Sequence, residues 1–237
     1  MKATEIKREL IALSDPVKRE FLPRFFKAGP GEYGEGDLFL GVTVPKQRMI
    51  VKKYRSLPME EIRALLYDEY HECRLTALLF LVRIFGKSKS EEERKEIYDF
   101  YIEHKSRINN WDLVDLSARD IVGGYLWNKP RDLLYRLART DHLWSQRISI
   151  IATCYFIKKK DFTDTFSISD ILLNHPHDLI HKAVGWMLRE AGKEDMNALL
   201  SYLTDHNRYS RMPRTMLRYA IEKFPEPVRI DFLKGHI

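Results

Sequence analysis

Only two cysteines, Cys73 and Cys154, occur in 237 residues, and both lie inside apolar segments. A disulfide framework or a cysteine-rich zinc site cannot be built from them, so the expected compartment is the reducing cytoplasm. Glycine (11) and proline (10) are too few for a collagen-like or low-complexity chain. No uninterrupted apolar run approaches the roughly 20 residues that span a bilayer, so no membrane association is expected. The opening Met1-Lys2-Ala3-Thr4-Glu5-Ile6-Lys7 lacks the apolar stretch of a secretory signal. No alternating run bounded by hairpin turns is found, which argues against a sheet. Histidine offers little. His177 and His181 are four apart with His175 close by, but no carboxylate or cysteine sits at matching spacing. They read as surface residues, and neither metal nor cofactor is expected.

What is present is a core and a helical period. Hydrophobic residues make up 44% of the chain and aromatics 12%, enough to exclude wholesale disorder. Segment 72–86 is long, apolar and sparsely charged, which predicts a largely buried helix. Segment 91–105 opens on Glu91, Glu92 and Glu93 and closes on His104 and Lys105, matching the helix dipole. Ser14-Asp15-Pro16 and Leu57-Pro58-Met59 read as helix starts. A faint repeat places a cation ahead of small and apolar residues at Arg74, Arg147, Lys182 and Arg214, with spacings of 73, 35 and 32 residues. A helix holding Trp111 falls midway through the first gap. The period predicts an all-α fold, a curved α-solenoid of HEAT-like antiparallel helix pairs. We read one domain over 1–237, with N-terminal helices in 1–71 and helix-pair repeats in 72–237. The four cations are expected to line the inner surface, although ordinary solvated side chains would read the same way. The Gly-rich loop 29–36 has G-x-G-x-x-G spacing, but helix precedes it and Glu32 and Glu35 would repel phosphate. It is a turn-rich connection rather than a dinucleotide site.

One stretch could carry chemistry: Asn109-Asn110-Trp111-Asp112-Leu113-Val114-Asp115. An asparagine can cap the helix, and Trp111 and Asp115, four apart, share a face. Asp112 lies about 100° round from Trp111. An indole beside a carboxylate suits a cation-like ligand, though a core tryptophan near a surface aspartate is the plainer alternative. Lys182, Trp186 and Arg189 form a stripe on another helix, and Trp144 precedes Arg147 by three. Cations that hold phosphates beside aromatics that touch sugar or base would fit a nucleic-acid surface, with core packing as the alternative. Trp127 has no such neighbour in sequence and reads as core.

Four ordered segments carry a resemblance: Phe39-Leu40-Gly41-Val42-Thr43-Val44-Pro45, Trp111-Asp112-Leu113-Val114-Asp115, Leu143-Trp144-Ser145-Gln146-Arg147 and Lys182-Ala183-Val184-Gly185-Trp186-Met187-Leu188-Arg189-Glu190. On these the chain resembles the bacterial AlkD-like DNA alkylation repair enzymes, which are HEAT-like-repeat DNA glycosylases. The resemblance implies hydrolysis of the N-glycosidic bond of alkylated purines, such as 3-methyladenine and 7-methylguanine, without base extrusion. It puts the catalytic carboxylate on Asp115, the sugar-contacting indoles on Trp111 and Trp186, and the DNA-contacting arginine on Arg147. A family tyrosine near the lesion aligns with Phe25, so its hydroxyl is missing. The implied partner is double-stranded DNA with alkylated bases; nothing in the sequence demands more than a monomer, and no obligate protein partner is expected. Lys182, Arg189, Arg74 and Arg214 are the further candidate DNA contacts. Two alternatives stay open: a non-catalytic HEAT-repeat module for damaged or branched DNA, and a protein-interaction solenoid.

Overall fold

A computed structural model of the chain describes residues 2–237. It consists of two compact units, Met1–Ile121 and Val122–Ile237. The first holds α1 (Ala3–Ala12), α2 (Pro16–Phe25), α3 (Val44–Tyr54), α4 (Met59–Leu66), α5 (His71–Lys87), α6 (Glu91–Glu103) and α7 (Trp111–Asp115). The second holds α8 (Gly124–Leu126), α9 (Asp132–Ala138), α10 (Leu143–Ala152), α11 (Cys154–Ile157), α12 (Thr163–Ile171), α13 (Asp178–Glu194), α14 (Met196–Thr204), α15 (Arg208–Arg211), α16 (Arg214–Ala220) and α17 (Glu226–Lys234). Among the described residues the only β pairing is an isolated parallel bridge between Leu38 and Tyr70. The fold is all-α, as the helical period predicts.

Helices begin where side chains can satisfy the orphan amides of a first turn. The Asp15 carboxylate accepts from the amides of Val17 and Lys18, and Pro16 fills the first helical position of α2. Ser90 accepts from the Glu93 amide at the start of α6. In the first unit α5 is the centre. Its residues from His71 to Leu81 are all buried, and α3, α4, α6 and α7 pack on it. Each fully buried leucine or phenylalanine here is worth about 1.5–3 kcal/mol. That gain offsets the cost of burying three polar residues in its first turn. One of them, Glu72, accepts from the amides of Leu40, Gly41 and Val42 at 2.9, 2.8 and 3.1 Å. The extended Phe39–Val42 segment is thus tied to α5 through a carboxylate. Gly41 holds a positive φ of 85°, and a Cβ there would lie 2.3 Å from the Asp15 carbonyl oxygen.

In the second unit α10, α13 and α16 pack on one another in order, each with a companion helix or turn. Arg147, Lys182 and Arg214 lie one on each, so the spacings of 35 and 32 residues do mark successive repeat units. The α13–α16 contact is close because Gly185 has no side chain. A Cβ there would stand 2.5 Å from both the Met216 carbonyl oxygen and the Tyr219 Cβ. Loop 29–36 is turn-rich, as expected. Its Gly29 and Gly31 amides are each met at 3.0 Å by the carboxylates of Glu32 and Glu35. The donors a phosphate would need are already occupied.

Candidate functional site

Helix α7 has five residues, with the indole of Trp111 at one end and the carboxylate of Asp115 at the other. A helix this short has little stability of its own, so its surroundings must hold it. Asn110 caps it, its side-chain oxygen accepting from the Trp111 amide at 2.9 Å. Ser117 donates to the Leu113 carbonyl at 2.5 Å and meets the Tyr101 hydroxyl at 3.0 Å. Burial, with the negative charge of Asp115 adding to it, pushes the Tyr101 phenol far above its ordinary range. Asp112 places one oxygen on the Leu113 amide and the other 2.9 Å from His71 Nε2.

Trp111 is half-buried and forms the rim of an aromatic wall. It stacks on Phe26 at 5.3 Å and 21°, and meets Phe25 edge-on at 5.8 Å. Behind Phe26 lie Phe39 and His71, at 5.2 and 4.8 Å. Phe25 is 50% exposed. Asp115 is also half-buried. Trp111, Asp115 and Phe25 are therefore reachable from outside the first unit. A Cβ on Gly34 would come within 3.1 Å of the Asn110 side-chain nitrogen, so loop 29–36 borders the cap of α7.

The second unit carries the other candidates. Trp186, on α13, is half-buried and donates its indole N–H to Glu190 at 3.2 Å. Glu190 is buried and also binds Lys193 at 2.6 Å, with Lys158 and Arg189 at 3.8 and 3.7 Å. Lys182 pairs with Asp178 at 2.7 Å one turn earlier, and that hydrogen bond holds the Asp178 carboxyl below its ordinary range. Both side chains stay well exposed. Arg189 is bound to Glu222, and Arg214 is exposed with one donor on the Leu233 carbonyl at 2.9 Å.

The geometry corrects several sequence expectations. The four repeat cations do not share a solvent-facing place. Arg74 is only 2% exposed, because it lies on the buried face of α5 paired with Asp37 at 2.6 Å. It is an internal cation, not a DNA contact. Arg147 is 4% exposed, and its Nη1 donates to the Leu179 carbonyl at 2.6 Å. That donor serves the first turn of α13. Trp144 is buried, while Trp127, expected in the core, is half-buried with Arg131 over its ring at 5.4 Å. The three histidines are half-buried rather than at the surface. His177 caps α13, His175 bonds Gln146, and His181 bonds the His175 carbonyl. Burial lowers the pKa of His175 and His177. No group of three or more His, Cys, Asp or Glu among the described residues is arranged for a metal ion. No helix among them is long and apolar enough to cross a membrane.

The family model for DNA alkylation repair enzymes matches residues 6–224. The chain belongs to that family. The DNA alkylation repair fold is also seen in solved structures. One, described as a predicted DNA alkylation repair enzyme from Enterococcus faecalis, superposes with a TM-score of 0.71 at 15% identity, covering 90% of this chain and 97% of its own. Another represents a family related to the HEAT-like repeat DNA glycosylases with affinity for branched DNA structures. Its TM-score is 0.60 at 12% identity, covering 99% of this chain and 95% of its own. At these identities the likeness is one of fold. A search of the curated proteins gave no match.

Within this DNA repair protein, sequence reasoning gave no role to His71, Asp112, Asp37 or Glu190. One signal was available: Arg74, a charged residue in the segment 72–86 read as buried, must have a partner. What could not be read was that Asp37, 37 positions away, supplies it, or that His71, just outside that segment, bonds residues 34 and 41 positions away.

Proposed function

We propose that this DNA repair protein is an alkylpurine DNA glycosylase acting on duplex DNA as a monomer, without metal or cofactor. Its substrates are 3-methyladenine and 7-methylguanine. A purine alkylated at N3 or N7 is already cationic and leaves readily, so no strong general acid is required. The demand falls on the deoxyribose, which becomes oxocarbenium-like as the glycosidic bond lengthens. Ionised Asp115 stabilises that charge and orients the attacking water. Trp111 offers a ring face to the sugar and shields the carboxylate's field from water. On the second unit Trp186, its indole fixed by Glu190, is a further DNA contact. Lys182, Arg189 and Arg214 hold phosphates, and the lesion is read from the backbone side without extrusion.

The observation that carries this reading is the capped five-residue turn presenting Trp111 and Asp115 together, half-exposed, in a chain of this family. The relative with affinity for branched DNA supports a second reading, binding without catalysis. One assay separates the two. A duplex bearing 7-methylguanine and an unmodified four-way junction are each incubated with the protein. Free base is followed by chromatography and binding by mobility shift. The glycosylase reading expects free 7-methylguanine from the duplex. Junction binding without base release would establish the other.

A further inference from the structure

His71 is 2% exposed, yet both of its ring nitrogens face carboxylate oxygens. Nδ1 lies 3.2 Å from Asp37 and Nε2 2.9 Å from Asp112. An ionised carboxylate only accepts hydrogen bonds, so both nitrogens must donate, and a ring that donates twice is an imidazolium. The remaining oxygens are also satisfied. The second oxygen of Asp37 takes Arg74 at 2.6 Å, and that of Asp112 takes the Leu113 amide at 2.9 Å. Two anions and two cations balance. A neutral imidazole would turn a lone pair toward one carboxylate and leave a net buried negative charge. The ring faces of Phe26 and Phe39, at 4.8 and 5.0 Å, favour the cation further.

The other charged groups nearby are few. Glu72, next in sequence, is turned away onto the amides of residues 40–42. Arg107 acts electrostatically on Arg74 and Asp37. Burial by itself would lower the His71 pKa. The charge and hydrogen bond of Asp112, then the hydrogen bond of Asp37, outweigh burial and the opposing Arg74, and hold it at about 9.

We propose that the His71 imidazolium is a positioning residue for base release, clamping Asp112 so that the turn carrying Trp111 and Asp115 keeps its working geometry. The proposal rests on the reading of Asp115 as the catalytic carboxylate. His71 reaches that turn by two routes. It bonds Asp112 directly, and its ring packs tilted against Phe26, which stacks on Trp111. The Ser117–Tyr101 contact holds the other end of α7 and does not involve His71. Loss of the proton therefore loosens the Trp111 end. The sign follows from linkage. A pKa raised on folding contributes stability that is complete below the unfolded value near 6.5 and is lost as pH rises through about 9.

The test uses the full chain between about pH 6 and 10. Single-turnover release of 7-methylguanine, corrected for the enzyme-free rate, is measured beside duplex affinity. The Trp111 indole N–H resonance, assigned with Trp111→Phe, is followed over the same range. In the wild type the rate should fall about fivefold or more across a midpoint near 9, with Kd unchanged within about twofold, and the Trp111 resonance should move with the same midpoint. His71→Gln should be about tenfold slower at neutral pH and lack that limb in both rate and resonance. If His71→Gln does not fold, Asp112→Asn gives the decisive reading, its midpoint falling by about 1 pH unit or more. A Trp111 resonance indifferent to pH in the wild type, or an unmoved midpoint in Asp112→Asn, would overturn the clamp. If the wild type releases no base at any pH, the catalytic reading fails, and the resonance alone decides whether the clamp exists.

Discussion

Phe25 touches Trp111 edge-on while half its surface faces water, a costly place for a phenyl ring unless it has work there. Aromatic pairs of this kind contribute about 0.5–1.5 kcal/mol beyond burial. Spent on holding the indole, that amounts to about a 2- to 10-fold effect on rate. Phe25→Ala should slow base release by that factor while lowering the melting temperature only modestly, since half of the residue is already exposed. A thermal shift assay beside single-turnover kinetics checks it. A large loss of stability would place Phe25 in the core instead. The same scale shows how context divides like residues. Arg74 and Lys182 fit one sequence pattern, yet the first is paired with Asp37 inside the protein and the second lies at the surface beside Asp178. Sequence spacing alone does not separate these two fates, because the partner of Arg74 is 37 residues away.

Among the elements, α7 and the α13–α16 pair show what was legible and what was not. Helix starts at Asp15, Ser90 and Asn110 follow from capping chemistry written within three or four residues of sequence. The burial of α5 follows from its apolar length. The clamp on α7 does not, because it joins side chains from two helices and a loop. The close approach at Gly185 was legible only as a glycine in a helix, with nothing to say which neighbour required it. It yields a prediction at this scale. In Gly185→Ala the new methyl meets α16 backbone at 2.5 Å, so α13 and α16 must move apart. The variant should lose about 1–3 kcal/mol of stability. Denaturant unfolding measures it, and a loss below about 0.5 kcal/mol would mean that the pair is less tightly packed than described.

For the molecule as a whole, the formal charge of +6 does not say which cations can reach a polyanion. Arg74 and Arg131 are bound to carboxylates in or near the core, while Lys158, paired with Glu194 at 2.8 Å, stays half-exposed. DNA affinity should fall with salt at a slope set by the exposed cations that reach phosphate. Lys182→Ala should reduce that slope by about 1 without a sequence preference, as titrations between low and physiological salt would show. An unchanged slope would remove Lys182 from the interface. Fold, family and interface cations nonetheless leave the chemistry on one carboxylate. The most direct measurement is single-turnover release of 7-methylguanine from a defined duplex by Asp115→Asn, with duplex affinity measured on the same preparation. The account predicts a loss of about 100-fold or more in rate at unchanged affinity. A rate equal to that of the wild type would contradict it.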